Sequence, residues 1–276
     1  MASTARFLWN RLEPYHGLIY FVPEADEHYT ALGLDPGMMG YFASRAAAMG
    51  AVPAEVVIAT FYNFEPTRVR ALVPQAWERT TPAALWHARL AAADAALIRV
   101  FGARLQAPDI AEAAATLRSI IERCTPEGRP LFAGHLAQKW PTEPHLALWF
   151  AITLLREYRG DGHIAALTVE AVSGIEALVI HAATGSVPAA VLKATRGWSD
   201  DAWAAAVQGL QWRQWLDDDG TLTPAGQQHR NRVEQYTDEL AARPWARLSE
   251  AQLASLAGLG KELSATIVAA GTFPRR

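Results

Sequence analysis

The stretch Gly185-Ser186-Val187-Pro188-Ala189-Ala190-Val191-Leu192-Lys193-Ala194-Thr195-Arg196-Gly197-Trp198-Ser199-Asp200-Asp201-Ala202-Trp203 decides how the chain folds. Pro188 opens a short helix that runs to Thr195, Gly197 stops it, and Ser199 caps the next one. A glycine suits the left-handed residue that follows a helix, and a serine oxygen accepts from the free amides that begin one. A preceding helix runs from Glu170 to about Ala183 and stops at Gly185-Ser186. The third helix passes through Trp203, Val207, Leu210 and Trp215 and ends at Asp217-Asp218-Asp219-Gly220. A tight turn then leads into Thr221-Leu222-Thr223-Pro224-Ala225-Gly226 and a helix through Val233 and Leu240.

Three helices joined by short glycine turns predict a helix-turn-helix. The span from Glu170 to Leu240, above all its Asp-Gly-Thr-Leu-Thr-Pro-Ala-Gly run, resembles the winged helix of MarR-like proteins. That resemblance implies a small β-wing after the third helix. The whole chain resembles an uncharacterised bacterial helix-turn-helix family sometimes labelled SalK. The residues that carry this are Trp9-Asn10-Arg11-Leu12-Glu13-Pro14-Tyr15-His16, Tyr41-Phe42-Ala43-Ser44-Arg45 and Arg156-Glu157-Tyr158-Arg159-Gly160-Asp161-Gly162-His163. The family supplies no activity to carry over.

Elsewhere apolar residues recur at helical spacing in an alanine-rich chain, so the fold class is all-α, mainly helical. The expected architecture is a winged-helix-like C-terminal unit with its small β-wing, packed on an N-terminal helical unit. Stops at Gly33, Gly50, Pro66, Pro74 and Gly102 cut the first hundred residues into short helices. Thr81 as N-cap, Pro82 at the first turn and Gly102 past the end predict one long helix from Pro82 to Phe101. The turn-rich Thr125-Pro126-Glu127-Gly128-Arg129-Pro130 suggests two domains, 1–130 and 144–276. Gly160-Asp161-Gly162 is expected to break the apolar helix that starts after Pro144.

With 276 residues, 51% hydrophobic and 19% charged, the chain can bury a substantial core. A net charge of −3 gives no global positive field for a phosphate backbone. The single cysteine, Cys124, excludes an intrachain disulfide framework and fits a reducing compartment, so cytoplasm is the expected location. The most apolar run, Leu146 to Leu155, is about half the ~20 residues that span a bilayer, so no membrane helix is expected.

Several residues are candidates for chemistry. Arg156 and Arg159 lie three apart with Asp161 close behind, a set suited to a carboxylate or phosphate ligand. His163 and Glu170, two helical turns apart, are the candidate acid and base of an enzyme. The structural alternative is an ion-pair network in which Arg156 and Arg159 satisfy Glu157, Asp161 and Glu170. In the aromatic-rich first half, His16, Tyr41, Arg45 and Asn63 could line a pocket for a planar or aromatic small molecule. The eight histidines show no helical zinc spacing, and no phosphate-cradling glycine loop is present, so neither metal nor cofactor is expected.

A DNA-reading helix should open with basic and amide groups, whereas this one opens on Asp200 and Asp201. The favoured reading is therefore a small-molecule-binding protein in which the winged-helix unit is a scaffold and duplex DNA is not retained. The alternative is a ligand-responsive MarR-like transcriptional regulator. It requires a homodimer presenting Lys193, Arg196 and Arg230 on one face.

Overall fold

A computed structural model of the chain describes residues 2–273. Its helices are α1 (Ala2–Gly17), α2 (Pro23–Thr30), α3 (Met38–Ala46), α4 (Ala54–Phe61), α5 (Pro66–Arg79), α6 (Pro82–Phe101) and α7 (Pro108–Ile121). They continue with α8 (Pro130–Leu136), α9 (Pro144–Val169), α10 (Gly174–Ala183), α11 (Ala189–Arg196), α12 (Asp200–Trp212), α13 (Pro224–Ala242) and α14 (Glu250–Ala269). The described residues contain no β-strand, and the all-α class holds.

Contacts divide the chain into two compact units that are interleaved along the sequence. Unit 1 comprises residues 1–52, 75–161 and 238–276, and unit 2 comprises residues 53–74 and 162–237. The sequence had suggested successive domains with a boundary between Cys124 and Pro144. The observed boundaries instead fall inside α5 after Pro74, inside α9 after Asp161 and inside α13 after Thr237.

Two expected stops are thus helical. Pro74 lies within α5, and Gly160-Asp161-Gly162 lies within the unbroken α9. Glycine in a helix interior costs only about 1 kcal/mol relative to alanine, less than the burial of α9 returns. Leu148, Trp149, Phe150, Ala151 and Leu154 of that helix are fully buried in unit 1. The first half of α9, apolar on every face, is a core segment, and no single described helix is long and apolar enough to cross a membrane.

In unit 1, α1 lies along α14 and α6 packs on α2 and α3. Helix α6 begins as its sequence predicts, with Thr81 Oγ accepting from the Ala84 amide at 3.2 Å. In unit 2, Ala166, Leu167, Val172, Val179, Ile180, Ala206, Leu210, Trp215, Leu216 and Val233 form one core that fixes α12 against α10.

Gly226, in the first turn of α13, lets the backbone of Trp215 approach. A Cβ there would lie 2.1 Å from the Trp215 carbonyl oxygen, with no flexible side chain to yield. Gly226→Ala is therefore expected to destabilise the fold by about 1–3 kcal/mol, read as a lower midpoint in urea denaturation followed by circular dichroism.

Candidate functional site

The turns of the helix-turn-helix form where the sequence places them, but its first helix starts at Gly174 rather than Glu170 and its third ends at Trp212, before Trp215. Gly197 takes φ +85°, and the amides of Gly197 and Trp198 both close on the Lys193 carbonyl, at 2.8 and 3.1 Å. Ser199 Oγ then accepts from the Ala202 amide at 3.2 Å and starts α12. The Trp198 indole donates to the Asn63 carbonyl at 2.9 Å, so Asn63 ties the turn into unit 2. Helix α12 buries Ala206 and Leu210 and leaves Asp201, Ala204, Ala205, Gln208 and Trp212 exposed. Steps of three and four residues put these five on one stripe, ending at an indole that is 87% exposed.

The expected β-wing is not formed. One antiparallel bridge, Leu216 to Leu222, replaces it. The turn between them is closed by its own acids. Oδ1 atoms of Asp217 and Asp219 each accept from the Thr221 amide at 2.9 Å, and Thr221 Oγ donates to Asp217 at 2.6 Å. Those carboxylates take the bonds that a strand ladder would use. Asp200 is likewise engaged, accepting from Lys193. Unit 2 carries seven Lys or Arg against ten Asp or Glu, a net charge of −3.

The charged cluster of unit 1 is built around Glu157, which is 1% exposed. Arg45 grips it with Nε at 3.2 Å and Nη2 at 3.0 Å, and Arg156 Nη1 bonds both of its oxygens at 2.8 Å. Burial alone would raise the Glu157 pKa, but these two guanidiniums outweigh it and hold the carboxyl well below its ordinary value. Arg156 also lies 3.6 Å from Glu13, which accepts from the Trp9 indole at 3.1 Å.

Beside this pair the hydrogen-bond directions are determined. Thr153 Oγ donates to the Trp149 carbonyl at 2.9 Å, so in its 2.8 Å bond with His16 Nδ1 it accepts. His16 Nε2 is then the acceptor of the Tyr20 hydroxyl at 3.0 Å, and Tyr20 in turn accepts from Arg89 at 3.2 Å. Burial, with Arg156 and Arg89 nearby, pushes the His16 pKa well down and keeps the ring neutral. Tyr41 accepts from Arg45 at 3.4 Å, and its ring lies 5.1 Å from that of Tyr20. Arg89 was not singled out from sequence. Its signal is a charge on the stripe Leu85, Arg89, Ala92, Ala93 and Ala96, all buried.

Of the residues expected to share a site, the structure brings His16, Tyr41, Arg45 and Arg156 together in unit 1. Arg159 pairs with Asp238 at 2.8 Å and lies 4.9 Å over the Trp9 ring. A cavity of about 20 Å³ is lined by Trp9, Glu13, Arg156, Arg159 and Trp245 among others, room for about one water molecule. His163 does not line it. Its Nδ1 donates to Thr237 Oγ at 2.9 Å in unit 2, because that hydroxyl already donates to Val233.

Glu170 is bonded to Arg232 at 2.9 Å and to His229 at 2.6 Å, and the Arg232 bond leads in lowering its pKa. A carboxylate so held is a poor proton acceptor. Among the described residues no group of three or more His, Cys, Asp or Glu is placed to hold a metal.

Asp161 accepts from the Phe132 amide at 2.9 Å, and burial raises its pKa to about 6 from 3.8. Between those values the native state binds more protons than the unfolded chain, so this group's contribution to stability falls as pH rises through the window. Asp161→Asn is expected to raise the melting temperature at neutral pH and leave it nearly unchanged near pH 4, in melts run across that range.

No curated protein and no solved structure matches the chain. A family model described as a helix-turn-helix family matches residues 5–274, which takes in both units. A match of that extent reaches well beyond the three-helix motif itself, and the chain belongs to this helix-turn-helix family.

Proposed function

We propose that the protein is a DNA-binding transcriptional regulator that docks α12 in the major groove. The observation that carries this reading is the exposed stripe of α12, presented by a helix-turn-helix in a chain that belongs to a helix-turn-helix family. The acidic opening of that helix, which counted against DNA, is offset at Asp200 by Lys193. Exposed pairs of this kind contribute at most about 1 kcal/mol, so Lys193 can exchange Asp200 for a phosphate at little cost. Along the stripe, Gln208 supplies an amide suited to adenine, and the Ala204 and Ala205 methyls suit the thymine methyl. The reading thus names A·T pairs as the bases in contact. Reading two half-sites calls for a homodimer, with Lys193, Arg196 and Arg230 as the phosphate-facing cations.

The test is selection from a random duplex library, followed by affinity measured at several salt concentrations. Enrichment of an A·T-containing motif is expected, with a shallow salt slope because only three cations per protomer, Lys193, Arg196 and Arg230, face phosphates. Absence of any enriched motif overturns the proposal. A second reading, small-molecule binding, is favoured by the cluster of buried His16, Arg45 and Arg89 with the partly buried Tyr20, Tyr41 and Arg156. That reading gives the regulator a signal to respond to.

A further inference from the structure

Arg89 is fully buried. Its Nη1 donates to Ser44 Oγ at 3.2 Å and its Nη2 to Tyr20 Oη at 3.2 Å, while Nε has no acceptor. Its guanidinium carbon lies 5.2 Å from the Tyr20 ring centre and 5.5 Å from that of Trp149. Every one of these partners is neutral. Among the described residues no carboxylate lies within ion-pair distance of it. A guanidinium keeps its proton throughout the accessible pH range, and a buried charge without a directly bonded counter-ion is unfavourable.

The neighbouring carboxylates are engaged elsewhere. Glu157 acts on Arg89 only from a distance while it bonds Arg45 and Arg156, and Glu13 lies against Arg156. The Tyr29 hydroxyl, within electrostatic reach of Arg89, is a second buried polar group without a partner. A buried water would satisfy these hydrogen bonds and leave the charge uncompensated.

We propose that unit 1 binds a small monoanion, a halide or the carboxylate of a small acid, at Arg89 Nε beside Tyr20 and Tyr29. The anion supplies the directly bonded counter-ion that no carboxylate among the described residues provides to Arg89. This deepens the small-molecule reading, on which it rests, by naming the ligand's chemistry.

The experiment is a melting series for the full-length protein and Arg89→Met at fixed ionic strength, with sodium chloride, formate or benzoate replacing the sodium salt of a bulky sulfonate. The wild type is expected to show a saturable rise in melting temperature, and Arg89→Met none. Saturation by chloride identifies a halide site, and saturation by formate or benzoate alone identifies a carboxylate site. Equal shifts in the two proteins mean a general salt effect over a buried water and overturn the proposal.

Should Arg89→Met fail to fold, the chloride and formate NMR linewidths of the wild type decide. Broadening of either line that excess unlabelled anion reverses supports the site, and two lines that both stay unbroadened overturn it. DNA selection reads α12 in unit 2, so failure of the anion site leaves that reading standing, and the converse is equally distinguishable.

Discussion

Glu157→Ala is expected to cost unit 1 about 3–5 kcal/mol, because it leaves the buried Arg45 guanidinium and the partly buried Arg156 guanidinium without their shared counter-ion. Arg156 retains only Glu13, at 3.6 Å. Urea denaturation reads this as a large fall in midpoint at unchanged slope. Replacing both partners, Arg45→Met with Glu157→Met, is expected to recover part of the loss, since apolar groups of similar size satisfy such a site well. The pH dependence has a fixed sign. With its pKa held below the ordinary carboxylate value, Glu157 contributes fully above about pH 5 and loses that contribution as pH falls through the folded-state pKa. An unfolding free energy within about 1 kcal/mol of wild type for Glu157→Ala would mean that the cluster is hydrated and holds little together.

The parts of this fold that local chemistry dictates were readable from the sequence. Thr81-Pro82 and Gly102 bound α6, and Gly197 and Ser199 punctuate α11 and α12, because caps act over three or four residues. What depends on distant partners was not readable. Gly160 and Gly162 signal a break, yet α9 runs through them under the packing of its buried neighbours. The same glycines, and Pro74, nevertheless fall where the chain passes from one unit to the other. The wing was read from Asp-Gly-Thr, but the aspartates bond back to Thr221 and only a single bridge forms.

The candidate site divides the same way. His16 and Tyr20, and Tyr41 and Arg45, stand four apart on their helices and do meet, but their joint focus on Glu157 comes from a helix more than a hundred residues on. His163 and Asn63, expected with them, make their hydrogen bonds inside unit 2. Arg89 escaped notice because a charge amid alanines reads as solvated until the helix is seen to be enclosed.

Ala205→Glu, in the middle of the exposed stripe of α12, is expected to weaken binding to a selected DNA site by roughly 10- to 100-fold, the effect of about 1–3 kcal/mol at one base contact. Its carboxylate would meet base edges and phosphates directly. Because Ala205 is exposed in a helix, the melting temperature should stay close to that of wild type. The measurement that bears most directly on the regulator reading is therefore fluorescence anisotropy of both proteins on the enriched duplex. Tight binding by wild type and a loss of that size for Ala205→Glu at unchanged stability is the expected result. Equal affinity in the two proteins, or no binding by either, would contradict α12 as the element that reads DNA.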